Sequence, residues 1–332
     1  SMAWGALAGA FAGPFLWPAV DAFRAGARFR PTFGFRHPAF VEWIKLSLPL
    51  MVGVTLVTVD DWIIRYFASG QEGAVTHLNY AKRIAIAAIA IAGQAVGQAS
   101  MPFFARLFAS GRREELADTC VRTVRGAGVL SLLAAAGLVA LAQPVTQILY
   151  GRNQYTPSDV ASTSFYLLVF AAAVPAWAIQ SLIVRVFYAA RNTLTPMVAG
   201  TIVTVVSFPV YALLFRRLGT TGLALGSGVG IVLHTLVIFW LAPRILPEIR
   251  SRLWPLAGDL ARGLALSAFA GIAAHVAARF CMGFVAWETT FGALVELIVG
   301  GVVFVVVTLA FAEVLGVPDP KRVLAKLTQR LR

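Results

Sequence analysis

The sequence is short of the residues that catalysis and metal binding require. Its 332 residues include only four histidines and two cysteines, and only 13% are charged. The histidines form no HExxH-type grouping, and the cysteines have no second ligand at a metal-binding spacing. No G-x-S-x-G motif or phosphate-binding glycine loop occurs either. We therefore predict that the chain is not an enzyme and has no catalytic residue, metal site or cofactor.

The scarcity of charge also excludes an ordinary water-facing surface, because a soluble domain carries roughly 25% charged residues. Instead, 59% of the residues are hydrophobic and the mean hydropathy is +0.78. The chain is a succession of apolar stretches, each long enough to cross a bilayer as a helix. We predict an all-α, polytopic transmembrane bundle of about nine spans: 3–20, 44–64, 84–108, 126–150, 163–188, 194–215, 220–243, 260–282 and 290–315.

The basic residues predict the orientation of this bundle. The 28 lysines and arginines outnumber the 15 acidic residues, and most of them fall on one side when the predicted spans alternate. The positive-inside rule places that side, with the loops 21–43, 106–125 and 244–262 and the C-terminus, in the cytoplasm. No basic segment contains a nucleic-acid-binding motif, so we predict no nucleic-acid partner. In this topology Cys120 and Cys281 lie on opposite sides of the membrane and cannot pair.

Four charged residues lie at similar predicted depth near the outer surface. Asp60 and Asp61 end the second stretch, while Lys82 and Arg83 open the third. We expect the two pairs to compensate each other's charge. The cations then have two interpretations: both extend to the interface beside an acidic partner, or one faces a water-filled cavity and binds an anionic group. Arginine suits the second role because its planar fork makes bidentate contacts with phosphate oxygens.

Other ionisable residues within the spans have structural interpretations. Glu296 lies deeper in the last stretch, where it either hydrogen-bonds a neighbouring helix or forms a proton or ion site. We expect the hydrogen bond. His234 and His275 are interpreted as core or interface histidines, and Arg279 and Glu313 as residues of helix ends.

Several local strings, in this order, match one known pattern: FAS at 67–69, LNYAKR at 78–83, MP at 101–102, LYGRNQYT at 149–156, RVFYAARNTLTP at 185–196 and GTTGLAL at 219–225. Together they resemble the MurJ/MviN-type lipid II flippases of the multidrug/oligosaccharidyl-lipid/polysaccharide exporter superfamily. The pattern corresponds to helices six to fourteen of that family. The resemblance, with the abrupt apolar start at Ser1 and no signal-peptide features, leads us to expect the C-terminal part of a longer protein.

The resemblance implies a domain organisation. Residues 1–20 would be the last helix of an N-terminal lobe, 21–43 a basic cytoplasmic linker, and 44–243 an exporter-type six-helix C-terminal lobe. A cytoplasmic loop at 244–259 would lead to two additional helices within 260–315, which in the family form a groove for the lipid tail. Small residues on those two helices would allow close packing. Residues 316–332 would form a basic cytoplasmic tail.

The resemblance also implies a function. Arg83 matches the family's cavity arginine, implicated in binding the lipid II diphosphate, and Lys82 is the second choice. We expect a multi-pass protein of the bacterial inner membrane that flips lipid II or a similar polyprenyl-diphosphate saccharide by alternating access. Its partners would be that lipid, membrane lipids and the cell-wall synthesis machinery. The stretch 194–215 contains no Asp or Asn, so we do not predict the sodium site of some family members.

Two alternatives remain open from the sequence. One is a related exporter of a polysaccharide-lipid or a drug, although an exporter of cationic drugs should carry cavity carboxylates rather than Lys82 and Arg83. The other is a non-transporting membrane scaffold derived from a flippase.

Overall fold

The structure, a computed structural model, describes residues 2–26, 35–52, 56–281 and 286–317. Within these ranges every regular element is a helix. The described residues belong to two compact units, Ser1–Lys45 and Leu46–Arg332. Residues 27–34 of the predicted linker and 318–332 of the predicted tail lie outside the described residues.

The first unit begins with one long apolar helix. It consists of α1 (Met2–Ala10), a π-helical turn (Phe11–Leu16) and α2 (Trp17–Arg24). The π-helical turn contains Pro14, which has no backbone N–H and therefore interrupts the regular hydrogen-bond ladder. The helix is long and apolar enough to cross a membrane from Ala3 to Arg24, which agrees with the span predicted at 3–20.

The second unit contains most of the helices. α3 (Pro38–Val52) crosses the boundary between the units, and the remaining elements follow in order. They are α4 (Leu56–Ala68), α5 (Ala74–Ile89), a π-helical turn (Ala90–Gln94), α6 (Ala95–Ala109), α7 (Arg113–Ala140), α8 (Ala142–Tyr150), α9 (Pro157–Ala189), α10 (Leu194–Leu218), α11 (Thr220–Ile245), a 3₁₀ turn (Pro247–Arg252), α12 (Leu253–Cys281) and α13 (Thr290–Phe311).

Eight helical stretches among the described residues are long and apolar enough to cross a membrane. The predicted stretch that is not among them, 44–64, falls on α3 and α4, and residues 53–55 between those helices lie outside the described ranges. The prediction of an all-α transmembrane bundle is confirmed, and the predicted count of about nine spans is close.

Two helices begin much earlier than hydropathy predicted. α5 begins at Ala74 instead of 84, so Lys82 and Arg83 lie in its third turn rather than at its opening. α7 begins at Arg113 and ends at Ala140, and Leu141, with non-helical backbone angles, separates it from α8. The predicted span 126–150 is therefore two helices. The polar first turns of α5 and α7 are helical because these helices pack on their neighbours. Hydropathy does not measure the stabilisation that such packing provides.

The long helix α9 is the centre of this unit. It packs against α5, α6, α7, α8 and α11, and a capping box between Thr156 and Asp159 fixes its start. A Cβ added to Gly93, in the π-helical turn after α5, would lie 2.7 Å from the Ala178 Cα. Only glycine at position 93 allows the backbone of the π-helical turn to approach the backbone of α9 this closely.

Glycine contacts also show the directions of the last helices. Gly128 and Ala136 of α7 lie beside Leu260 and Gly271 of α12, so α7 and α12 run parallel. Cys120, in the first third of α7, and Cys281, at the end of α12, consequently lie towards opposite ends of the unit. Both are free thiols.

The small residues of the last two helices only partly serve the packing predicted for them. Gly300 of α13 lies against Ala274 and Ala278 of α12, as expected. Gly271, however, packs on α7, and a Cβ at Gly301 would contact nothing within 4 Å.

Candidate functional site

A buried carboxylate, Asp60 of α4, joins four helices. Asp60 is 1% exposed. Its Oδ1 accepts a hydrogen bond from the Tyr211 hydroxyl of α10. Its Oδ2 accepts hydrogen bonds from Ser227 Oγ of α11, at 3.1 Å, and from Lys82 Nζ of α5, at 2.5 Å. Because an unpartnered polar group is costly in an apolar interior, these donors hold α4, α5, α10 and α11 in one arrangement.

Lys82 is occupied by two carboxylates. Its Nζ also lies 2.6 Å from Asp61 Oδ1, and the Lys82 side chain is 10% exposed whereas that of Asp61 is 46% exposed. The two aspartates therefore compensate the lysine charge inside the protein. The structure thus brings together three of the four charged residues singled out in the sequence, and Lys82 has no free charge to offer a ligand.

Arg83 points elsewhere, because successive residues of a helix are rotated by about 100°. Its side chain is exposed, and within the described residues no carboxylate lies within ion-pair distance of it. Arg83 also lies close to Tyr150 at the end of α8: burial raises the pKa of the Tyr150 phenol, and the positive charge of Arg83 opposes that rise. Of the two adjacent cations, only Arg83 is accessible to an anionic group.

An aromatic cluster next to Arg83 escaped the sequence analysis. Tyr80, one turn before Arg83 in α5, stacks on Tyr150 with ring centroids 4.3 Å apart, and Tyr155 lies 5.8 Å from Tyr80. Below them, His77 Nε2 lies 3.1 Å from Asp159 Oδ1 and connects α5 to the start of α9. In the sequence, Tyr80 is marked only as part of the LNYAKR string at 78–83, which does not show its contacts with Tyr150 and Tyr155.

An apolar groove of about 670 Å³ begins beside this cluster. Ile84, the residue after Arg83, lines it together with further residues of α5, α7 and α13, among them Leu133 and Phe304. No α12 residue is part of the described lining. The lipid-tail groove expected of the two last helices stays a prediction; α13 lines the groove described here, and α12 packs directly on α13.

The ionisable residues interpreted as structural behave differently from one another. His275 Nδ1 lies 3.1 Å from the Ala140 carbonyl oxygen, as an interface histidine should. Glu296 does not make the hydrogen bond expected of it: neither carboxylate oxygen has a partner. His234 Nε2 is also buried without one.

The fold and the site define an exporter-type transmembrane bundle with one accessible cation beside an apolar groove. Comparison with known proteins agrees: a family model described as "Lipid II flippase MurJ" matches residues 1–300. The chain belongs to the MurJ lipid II flippase family and is a multi-pass inner-membrane protein.

Individual relatives show how much of the family the chain represents. It is 30% identical over 243 residues to a probable lipid II flippase MurJ of Rhizobium meliloti (strain 1021), covering 72% of this chain and 44% of the relative. It is 26% identical over 226 residues to a probable lipid II flippase MurJ of Vibrio cholerae, covering 68% and 43%. The chain therefore spans less than half the length of these curated relatives.

A solved structure supports the fold. The lipid II flippase MurJ in an inward closed conformation superposes with a TM-score of 0.61 at 18% identity, covering 86% of this chain and 57% of that one. A MOP superfamily transporter from Pyrococcus furiosus superposes with a TM-score of 0.52, also at 18% identity, covering 90% of this chain and 70% of that one.

Proposed function

We propose that this chain takes part in flipping lipid II across the inner membrane, with Arg83 binding the diphosphate and the apolar groove holding the polyprenyl tail. The observation that carries the proposal is the position of Arg83, exposed and without an ion-pair partner among the described residues, immediately before the groove residue Ile84. A lipid-linked diphosphate needs a cation and an apolar channel side by side, because its charged group is costly to bury in hydrocarbon. No covalent bond changes in this process.

The geometry favours a structural role for Lys82 and a ligand-binding role for Arg83. Asp60 and Asp61 neutralise Lys82, so Lys82 contributes to the architecture of the site and Arg83 to the ligand. An exporter of cationic drugs would need free cavity carboxylates, whereas the described carboxylates of this region are engaged, Asp60 and Asp61 by Lys82 and Asp159 by His77. The polarity of the site therefore favours an anionic substrate.

We also propose that the Arg83 end of the bundle faces outward and that the C-terminus is cytoplasmic. The opposite end carries a basic cluster at the end of α6, the start of α7, the end of α11, the 3₁₀ turn and the first turns of α12: Arg106, Arg112, Arg113, Arg244, Arg250, Arg252 and Arg262. Arg252 bridges two of these segments through Glu114 and Asp118 of α7. The positive-inside rule assigns such a cluster to the cytoplasm.

The test compares Arg83→Ala and Arg83→Lys in the polypeptide as its gene encodes it, using lipid II translocation and rescue of a flippase-depleted strain. Charged hydrogen bonds contribute about 1.5–3 kcal/mol each, so Arg83→Ala should weaken substrate binding roughly 10- to 100-fold. Arg83→Lys should also lose much of the activity if the contact is bidentate. An interfacial arginine would tolerate lysine.

Arg65→Ala is the matched control, because Arg65 is an exposed arginine of the neighbouring helix α4. It should transport normally at equal membrane abundance. Normal transport by Arg83→Ala would remove Arg83 from the substrate site and overturn the proposal.

A further inference from the structure

A second cavity, of about 210 Å³, lies at the junction of α7, α8, α9, α12 and α13. Glu296 of α13 lines it. The residue is 0% exposed, and both of its carboxylate oxygens are buried without a hydrogen-bond donor. Buried carboxylates are normally hydrogen-bonded, so this one requires an explanation.

The cavity wall contains few groups that can act on this carboxyl. α12 contributes the titratable and charged residues that face it, His275 and Arg279. The positive charge of Arg279 is close enough to interact electrostatically with Glu296, while His275 is directed to the Ala140 carbonyl oxygen. The described lining residues from the other helices are not titratable: Val139, Ala140, Ala142, Gln143, Pro144, Ala161, Ser164, Phe165 and Leu168.

The uncharged polar side chains of the lining, Gln143 and Ser164, donate no hydrogen bond to Glu296. The hydroxyl of Ser164 donates to the Val160 carbonyl oxygen at 2.7 Å within its own helix. A metal cation is also an unsuitable ligand, because the Arg279 charge would repel it. In addition, no group of three or more His, Cys, Asp or Glu residues in the described ranges could hold a metal ion.

We infer that Glu296 is a proton-binding site. An ionised carboxylate without hydrogen bonds is far more costly in an apolar interior than the neutral acid, and a bound proton neutralises it without the further oxygen ligands that a metal cation needs. The acid form persists while water does not reach the Glu296 carboxyl, which is 0% exposed, and entry of water would stabilise the carboxylate that remains when the proton leaves. Arg279 supplies a charge that favours the carboxylate at that moment.

The position of Glu296 allows exchange with bulk water. It lies six residues after Thr290, about 9 Å along the axis from the start of α13. His275 and Arg279 are in the last two turns of α12, at the same end. The site is therefore close to a membrane surface, and its cavity shares no described lining residue with the groove beside Arg83. The inference does not depend on the identity of the transported substrate.

Infrared spectroscopy of the purified protein in lipid nanodiscs tests this directly, because a protonated carboxyl has its own C=O stretching band. We expect a band at neutral pH that shifts in D₂O, disappears as pH rises, and is missing from Glu296→Gln. The control Glu72→Gln, at an exposed glutamate before α5, should retain the band. Absence of the band at every pH, or its persistence in Glu296→Gln, would overturn the inference.

A second variant keeps the test decisive if Glu296→Gln fails to fold. Arg279→Gln removes the charge that favours the carboxylate, so the band should disappear at a higher pH than in the unaltered protein. A titration that does not move, or that moves to lower pH, would show that the observed carboxyl is not Glu296 beside Arg279.

Discussion

Two buried carboxylates in the same unit have opposite surroundings. Asp60 accepts hydrogen bonds from a lysine, a tyrosine and a serine on three other helices, whereas Glu296 accepts none. Both are 1% exposed or less. The difference separates a carboxylate whose donors connect four helices from one whose neutral form fits its cavity.

The adjacent cations Lys82 and Arg83 also differ in their surroundings. Lys82 sits between two carboxylates and stabilises the packing of α4 and α5, while Arg83, the next residue, is exposed. Removing any member of the Asp60 network should therefore lower stability, in proportion to how deeply the lost contact is buried. Neutralising Glu296 at neutral pH should have little effect by comparison.

Lys82→Met should have the largest effect. It leaves Asp60 buried without its counter-ion, and breaking one side of a buried ion pair costs about 3–5 kcal/mol. Unfolding in detergent can be followed by maleimide labelling of Cys120, which is 0% exposed, in a Cys281→Ser background. Lys45→Met, at an exposed lysine, should be near neutral. The double variant Lys82→Met/Asp60→Asn should recover part of the loss, and strict additivity would show that the two groups are not coupled.

Tyr211→Phe should have an intermediate effect. The hydroxyl donates to a buried carboxylate, and a hydrogen bond to a charged group is worth about 1.5–3 kcal/mol. Tyr66→Phe is the control, since Tyr66 is 77% exposed on α4. Equal labelling rates of Cys120 in the two variants would mean that the hydrogen bond from Tyr211 of α10 to Asp60 does not stabilise the protein.

Asp61→Asn should have the smallest effect, because the Asp61 side chain is 46% exposed and exposed ion pairs contribute about 0–1 kcal/mol. The matched comparison is Asp60→Asn, which removes a charge from the buried centre of the network. We expect Asp60→Asn to unfold more readily by the same thiol assay. Easier unfolding of Asp61→Asn than of Asp60→Asn would mean that Asp61, and not Asp60, has the larger structural role.

Much of the fold could be predicted from the sequence. Bilayer thickness and helix rise vary little, so apolar stretches of the right length predict membrane helices, and the spans at 3–20, 194–215, 220–243 and 290–315 agree with the structure to within a few residues. The starts of α5 and α7 could not be predicted this way, because their first turns are polar. They are helical because they pack against other helices.

Helix rise and loop length limit the separation of Asp60, Asp61, Lys82 and Arg83 to a few turns, so their proximity could be predicted from the sequence. The choice of the buried cation depends on long-range packing. Lys82 and Arg83 are adjacent, and either could face inward until α10 and α11 place Tyr211 and Ser227 around Asp60. Likewise, the sequence could not show that Glu296 is without a hydrogen-bond donor. Donors come from neighbouring helices, and their positions depend on long-range packing that no local pattern encodes.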